Sequence, residues 1–120
     1  MGLIKVTTRL TNMQSPDKYY EEVFLVDTGA TDCMAPADRL EQIGITRKGK
    51  MSYELADGTK KQYSYGLAQI EFMGDITAGR VIFGEPGTEP ILGVTALESV
   101  GIEIDPANKT LKRMPAIPLK

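Results

Sequence analysis

A mostly β fold is the prediction for this sequence, and three observations carry it. Apolar residues recur at every second position over short runs, strong turn signals separate those runs, and only two stretches are patterned as helix. The first strand is read from Ile4, Val6, Thr8 and Leu10, which alternate onto one face; it breaks at Asn12 to Asp17, with Pro16 inside. The second covers residues 19–26 (YYEEVFLV), and its end is apolar on both faces, the mark of a strand deep in the core. Pro36 to Ile43 is predicted as two helical turns, with Pro36 at the first helical position, where its missing N–H costs nothing, and Gly44 as the stop. Residues 51–56 and 59–65 are predicted strands joined by Asp57-Gly58, the strongest short hairpin signal in the chain, and together they make a long two-stranded finger. A second hairpin, residues 67–73 and 76–83, is centred on Gly74-Asp75, and Gly84 to Pro90 is a loop. Thr95-Ala96-Leu97-Glu98 reads as a capping box opening a short helix that Gly101 closes. Ile102 to Ile104 and Thr110 to Met114 are the last strands, turning at Pro106 to Lys109. With no repeat, linker or low-complexity segment, residues 1–120 are expected to form a single domain.

At 120 residues, 42% hydrophobic and 25% charged, the chain has enough apolar material for one core without covalent staples. Its single cysteine, Cys33, excludes a disulfide within the chain. Cys33 is expected to be a small buried hydrophobe, since no neighbouring cation is evident to activate it; a redox sensor is the lesser reading. The chain has no histidine, which excludes Ser-His-Asp and Cys-His catalysis and histidine-ligated zinc within it. Chemistry is left to carboxylates, Lys, Tyr and Cys33. A net charge of -2 gives no positive field to draw nucleic acid, and the short basic patches Lys48 to Lys50, Lys60-Lys61 and Lys112-Arg113 read as solvated surface. Apolar runs such as Val23 to Val26 are too short to span a membrane. Met1 to Val6 lacks the apolar core of a signal peptide, and position 6 is not the Ser or Thr of a myristoylation signal. Asn108-Lys109-Thr110 fits a glycosylation acceptor but reads better as turn chemistry. A cytoplasmic protein without membrane or nucleic-acid partners is therefore expected.

The informative segment is Val26-Asp27-Thr28-Gly29-Ala30-Thr31. An acid at the end of a buried strand, followed by a small hydroxyl residue and Gly, puts a carboxylate where the backbone turns sharply and can donate hydrogen bonds to it. An Asx turn at a strand exit would use the same tripeptide, and on these residues alone that reading is preferred. Asp-x-Gly-x-Thr after an apolar strand also resembles the phosphate loop of the actin and sugar-kinase ATPases, but that fold needs a chain several times longer. The bland reading weakens once Ile91-Leu92-Gly93 and the short helix over 95–100 are set beside the tripeptide. The order is a strand into Asp27-Thr28-Gly29-Ala30, a finger over Asp57-Gly58, then Ile91-Leu92-Gly93 and a helix. In that order the chain resembles the retropepsins, the single-domain aspartic proteases of retroviruses and their cellular and prokaryotic relatives, over roughly residues 3–114.

The resemblance implies a closed acid-protease β-barrel with one short C-terminal helix, active as a homodimer. It implies that Asp27 is the catalytic acid, that Thr28 locks the two active-site loops together across the dimer, and that Gly29 lets the loop backbone approach substrate. Ala30, Thr31 and Asp32 would line the cleft, although Asp32 reads equally well as a strand cap. Ala56, Asp57, Gly58 and Thr59 would form the tip of a flap closing over a bound peptide, and Tyr53 near it could touch substrate. Ile91, Leu92 and Gly93 would mark the strand packed beside the Asp27 loop. Two departures point to a cellular or prokaryotic member. Viral enzymes pair an Asp after the Ala with an Arg after the apolar-apolar-Gly motif, whereas this chain has Thr31 and Val94, and its flap lacks the viral Gly-rich tip. The expected activity is aspartic endopeptidase action on peptide or protein substrates, with no metal or organic cofactor. The rival is a catalytically idle dimerisation or peptide-binding module. Because the chain carries one Asp-Thr-Gly, a dyad sharing one proton needs a second chain.

Overall fold

Six strands close into a barrel in the computed structural model, which describes residues 3–119. Met1 and Gly2, the start of the segment that the signal-peptide and myristoylation readings concern, lie outside the described residues. The strands are β1 (Lys5–Thr11), β2 (Tyr19–Asp27), β3 (Cys33–Pro36), β4 (Gly49–Glu54), β5 (Lys60–Phe72), β6 (Asp75–Gly84) and β7 (Ile91–Gly93). Hydrogen-bonded neighbours run β1-β2-β7-β3-β6-β5, and β5 returns to β1 through the Thr8–Phe72 to Thr11–Gln69 pairs, which closes the ring. Closure leaves no open sheet edge in the barrel itself. The seventh strand, β4, pairs only with β5 and stands outside the ring. Helices α1 (Ala37–Gln42) and α2 (Val94–Ser99) are short, and β8 (Ile102–Asp105) pairs with β9 (Thr110–Arg113) in a separate ribbon. The mostly β class, the closed barrel and the short C-terminal helix stand as the sequence and its resemblance imply. No described helix is long and apolar enough to cross a membrane.

Alternation explains the inside of the barrel. Thr8 and Leu10 of β1, Phe24 and Val26 of β2, Ala68, Ile70 and Phe72 of β5 and Val81 and Phe83 of β6 all point inward and are buried. Leu40 from α1 and Leu97 from α2 plug the ends, and Ile102 adds the C-terminal ribbon to the same core. Each such side chain contributes about 1.5–3 kcal/mol by leaving water. Thr8, polar yet fully buried, satisfies its hydroxyl by donating to the Val6 carbonyl at 3.2 Å.

Several boundaries differ from the sequence reading, each for a physical reason. β5 is one strand of 13 residues, not two that part near Gly66, so the finger and the second hairpin share it. Gly66 is there because a Cβ would lie 2.6 Å from Ile45 Cγ2 and 2.7 Å from the Thr46 carbonyl oxygen; it permits a close approach rather than breaking the strand. The finger tip is not a two-residue turn. Its strands end at Glu54 and Lys60, Gly58 N–H donates to the Leu55 carbonyl (2.9 Å), and Leu55 N–H donates to that of Thr59 (2.7 Å). With Gly58 at φ 87°, this is the three-residue loop that ends in a left-handed residue. The two-residue turn belongs to the other hairpin and falls one residue earlier than predicted, on Met73 (φ 54°) and Gly74 (φ 81°), because Phe72 pairs with Asp75. Pro36 ends β3 at φ -57°, ψ 135° and precedes the helix instead of starting it. Thr95 is no cap: α2 begins at Val94, and its first N–H groups are satisfied by backbone elsewhere.

Candidate active site

Everything at the site follows from β2 and β7 lying side by side. They are parallel neighbours, with Val26 beside Leu92 and Asp27 beside Gly93, so the two short motifs meet although the paired positions are 66 residues apart in the chain. Leu92 is fully buried, Gly93 is buried, and Ile91 reaches the cleft. Gly93 is required by distance: a Cβ there would lie 2.5 Å from the Asp32 carbonyl oxygen and 2.8 Å from that of Thr31. β7 can therefore press directly on the backbone of the Asp27 loop.

That loop turns as soon as β2 ends. Gly29 N–H donates to Asp27 Oδ1 (2.9 Å), and Ala30 N–H donates to the Asp27 carbonyl (3.1 Å). The Asx turn and the positioned acid are thus one structure: the turn holds the carboxylate. A second set of bonds fixes the loop from behind. Val94 N–H donates to the Ala30 carbonyl (2.8 Å) and Thr95 N–H to that of Thr31 (3.1 Å), so the opening turn of α2 finds its acceptors in the loop it supports. These backbone bonds tie together the two segments that carry Thr31 and Val94. Asp27 is half-buried, while Thr28 and Gly29 are exposed.

The loop forms the floor of a cleft of about 730 Å3 whose roof is β4 and the start of the finger tip. Of the residues expected at the site, Asp27, Gly29, Ala30, Thr31, Asp32, Ala56 and Ile91 line it. Asp57, Gly58 and Thr59 lie beyond it at the exposed end of the finger, where a Cβ on Gly58 would meet nothing within 4 Å. Asp57 there accepts from Thr59 Oγ1 (2.6 Å) and Thr59 N–H (2.9 Å), which hold its carboxyl below the usual range. Met34, Met51, Tyr63 and Ile82 also face the cleft. The sequence carried no separate signal for them, because they alternate away from the barrel core or stand on the finger, and which of those positions the cleft covers depends on register and tertiary placement.

Asp32 is both cleft wall and strand edge, and it has a partner. Tyr53 on β4 donates its hydroxyl to Asp32 Oδ2 at 2.7 Å, joining roof to floor. Burial first, then that hydrogen bond and the Asp32 charge, push the Tyr53 phenol up to about 12, against an opposing pull from the Arg80 guanidinium. Next to Asp32, Cys33 is 2% exposed, and burial pushes its thiol up to about 11. It is the buried hydrophobe expected, not an activated nucleophile.

Comparison with curated proteins gives no match. The family model described as gag-polyprotein putative aspartyl protease matches residues 20–99, from β2 through α2, and so takes in the Asp27 loop, the finger and the strand holding Gly93. With two thirds of its length under that model and both motifs joined across one pair of strands, the chain belongs to the retropepsin-like aspartyl protease family.

Proposed function

We propose that the protein is an aspartic endopeptidase whose working form is a homodimer, each chain giving its Asp27 to a shared pair. The observation that carries this reading is the placement of Asp27: a carboxylate held by the Gly29 N–H, at the floor of a roofed cleft, on a backbone braced by β7 and α2. Exposed Thr28 and Gly29 beside it leave that carboxylate approachable by the same loop of a second chain. Two carboxylates about 3 Å apart repel by roughly 5 kcal/mol at an effective dielectric near 20, so the pair keeps one proton. The ionised member takes a proton from a bound water, whose oxygen attacks the scissile carbonyl carbon. The protonated member hydrogen-bonds the carbonyl oxygen and gives it the proton as the tetrahedral diol forms. Breakdown returns a proton to the leaving nitrogen and regenerates the pair. Carboxylates and water complete the cycle, and the finger, by closing on a bound peptide, keeps other water out. The proposed setting is the cytoplasm and the proposed substrate a peptide or protein segment.

The test is cleavage of a mixed peptide library at mildly acid pH, read by mass spectrometry, with wild type beside Asp27→Asn. Loss of all cleavage in the variant, with folding retained, is the expected result. Cleavage that survives the substitution overturns the mechanism, and no cleavage by either form favours a peptide-binding module.

A further inference from the structure

We propose that Tyr53 and Asp32 form a latch that fixes the height of the finger above Asp27 while the site is empty, confining the finger's free motion to the tip residues 55–59. Four observations support it. β4 is hydrogen-bonded to a neighbour on one edge only, so β5 is its sole support within the sheet. The polar residues along the finger, Ser52, Glu54, Lys60, Lys61 and Gln62, are exposed, so apolar burial does little to pin it. The Tyr53 hydroxyl then makes the one side-chain hydrogen bond from β4 to the Asp27 loop among the described residues, at 2.7 Å. The floor end of that bond is rigid, because the preceding residue is held by Thr95 N–H and the Asp32 backbone rests against Gly93.

The roof end is also set. The Tyr53 ring packs edge-on to Tyr63, 6.2 Å between centroids at 62°, which supports the ring that carries the hydroxyl. Arg80 steadies the same face of the strand: its guanidinium lies 4.3 Å over the Tyr65 ring, with Nη1 2.8 Å from Met51 Sδ. The latch thus joins three separate parts of the chain at one wall of the cleft. Tyr53 acts through the finger and is a positioning residue. Its kinetic consequence, which rests on the peptidase reading above, is that a pre-closed finger spares substrate the cost of ordering it. Tyr53→Phe should raise KM about tenfold and leave kcat within about twofold.

The deciding experiment is hydrogen exchange over residues 50–56 of the substrate-free protein, which requires no catalysis. Tyr53→Phe and Asp32→Ala should each speed exchange there about tenfold and leave β1 and β2 unchanged. The double variant should be no faster than either single one, since both remove the same bond. Asp32→Asn, which keeps an oxygen acceptor for the phenol, should restore the wild-type pattern. Wild-type exchange in both Tyr53→Phe and Asp32→Ala overturns the latch, as does an additive double variant. A wild type that cleaves nothing yet shows this exchange pattern overturns the peptidase reading and keeps the latch.

Discussion

A methyl group on Gly93 would sit 2.5 Å from one loop carbonyl oxygen and 2.8 Å from the next, and neither is a side chain that could swing away. Gly93→Ala should therefore cost about 1–3 kcal/mol, seen as a lower unfolding midpoint, and should shift the Asp27 loop enough to abolish turnover before the fold is lost. Cys33 offers a second check at this scale. With a thiol buried and pushed up to about 11, it should resist maleimide labelling at pH 8 in the folded protein and react at once in denaturant. Tyr53 gives a third, with the sign fixed by its raised value. The folded state favours the protonated phenol, so its contribution to stability is complete below pH 10 and is lost as pH climbs toward 12. Ultraviolet titration should show a phenol ionising late, toward pH 12, in wild type, and that late step should be missing from Tyr53→Phe. Asp27 and Gly93 were legible in the sequence because each sits in a short contiguous motif. The Tyr53–Asp32 bond was not: its partners are 21 residues apart, and their meeting depends on how far the finger bends over the loop.

At the scale of elements, the finger tip is the place to intervene without touching the core. Gly58 holds φ 87° in open space, so Gly58→Val meets no steric wall but pays about 1–2 kcal/mol for the left-handed backbone. Because a frayed tip relieves that strain locally, the unfolding midpoint should move little while turnover falls, and calorimetry beside a peptide assay separates the two effects. Strand existence was readable wherever alternation ran for five residues or more. β3 was missed because Cys33–Pro36 is too short to show a period and ends in Pro. The capping box at Thr95 failed for a tertiary reason: the N–H groups that Thr95 would have served already had the Ala30 and Thr31 carbonyls in front of them. Gly66 looked like a strand break because sequence records a missing side chain without recording what occupies its space.

For the molecule as a whole, the proposed dimer makes activity a function of concentration. Specific activity should fall on dilution, and equal mixing with Asp27→Asn chains should leave about half of what the same wild-type chains give alone, since each mixed pair lacks an acid. A fully active monomer in sedimentation would contradict both. The rate should trace a bell against pH, centred on the acid side of neutral, because one carboxylate of the pair must be ionised and the other not. A rate that climbs steadily through pH 9 would point to a Lys or Cys33 nucleophile instead. The fold class and the order of the two motifs were legible from the start, and the closed barrel came with the resemblance those motifs carry; which strands close the ring was not legible, because it depends on β5 reaching both β6 and β1, and strand partners far apart in the chain leave no local mark.

The close approach of residues 45 and 46 to Gly66 turns the finger into a beam. Its two strands are gripped where Gly49 faces Tyr65, and Lys48 N–H donates to the Tyr65 carbonyl (2.8 Å) just behind. From that grip to the Glu54–Lys60 pair the ribbon projects five residue steps, about 17 Å. The Tyr53 hydroxyl meets the floor one step short of the end, so the beam is propped near its far support and only the loop overhangs. Deflection of a beam rises with the cube of its unsupported length. Stiffness at the mouth of the cleft is therefore set by where the supports fall along the ribbon, and inserting two residue pairs beyond Tyr53, which preserves the inward and outward alternation, should loosen the tip far more than any single substitution within it.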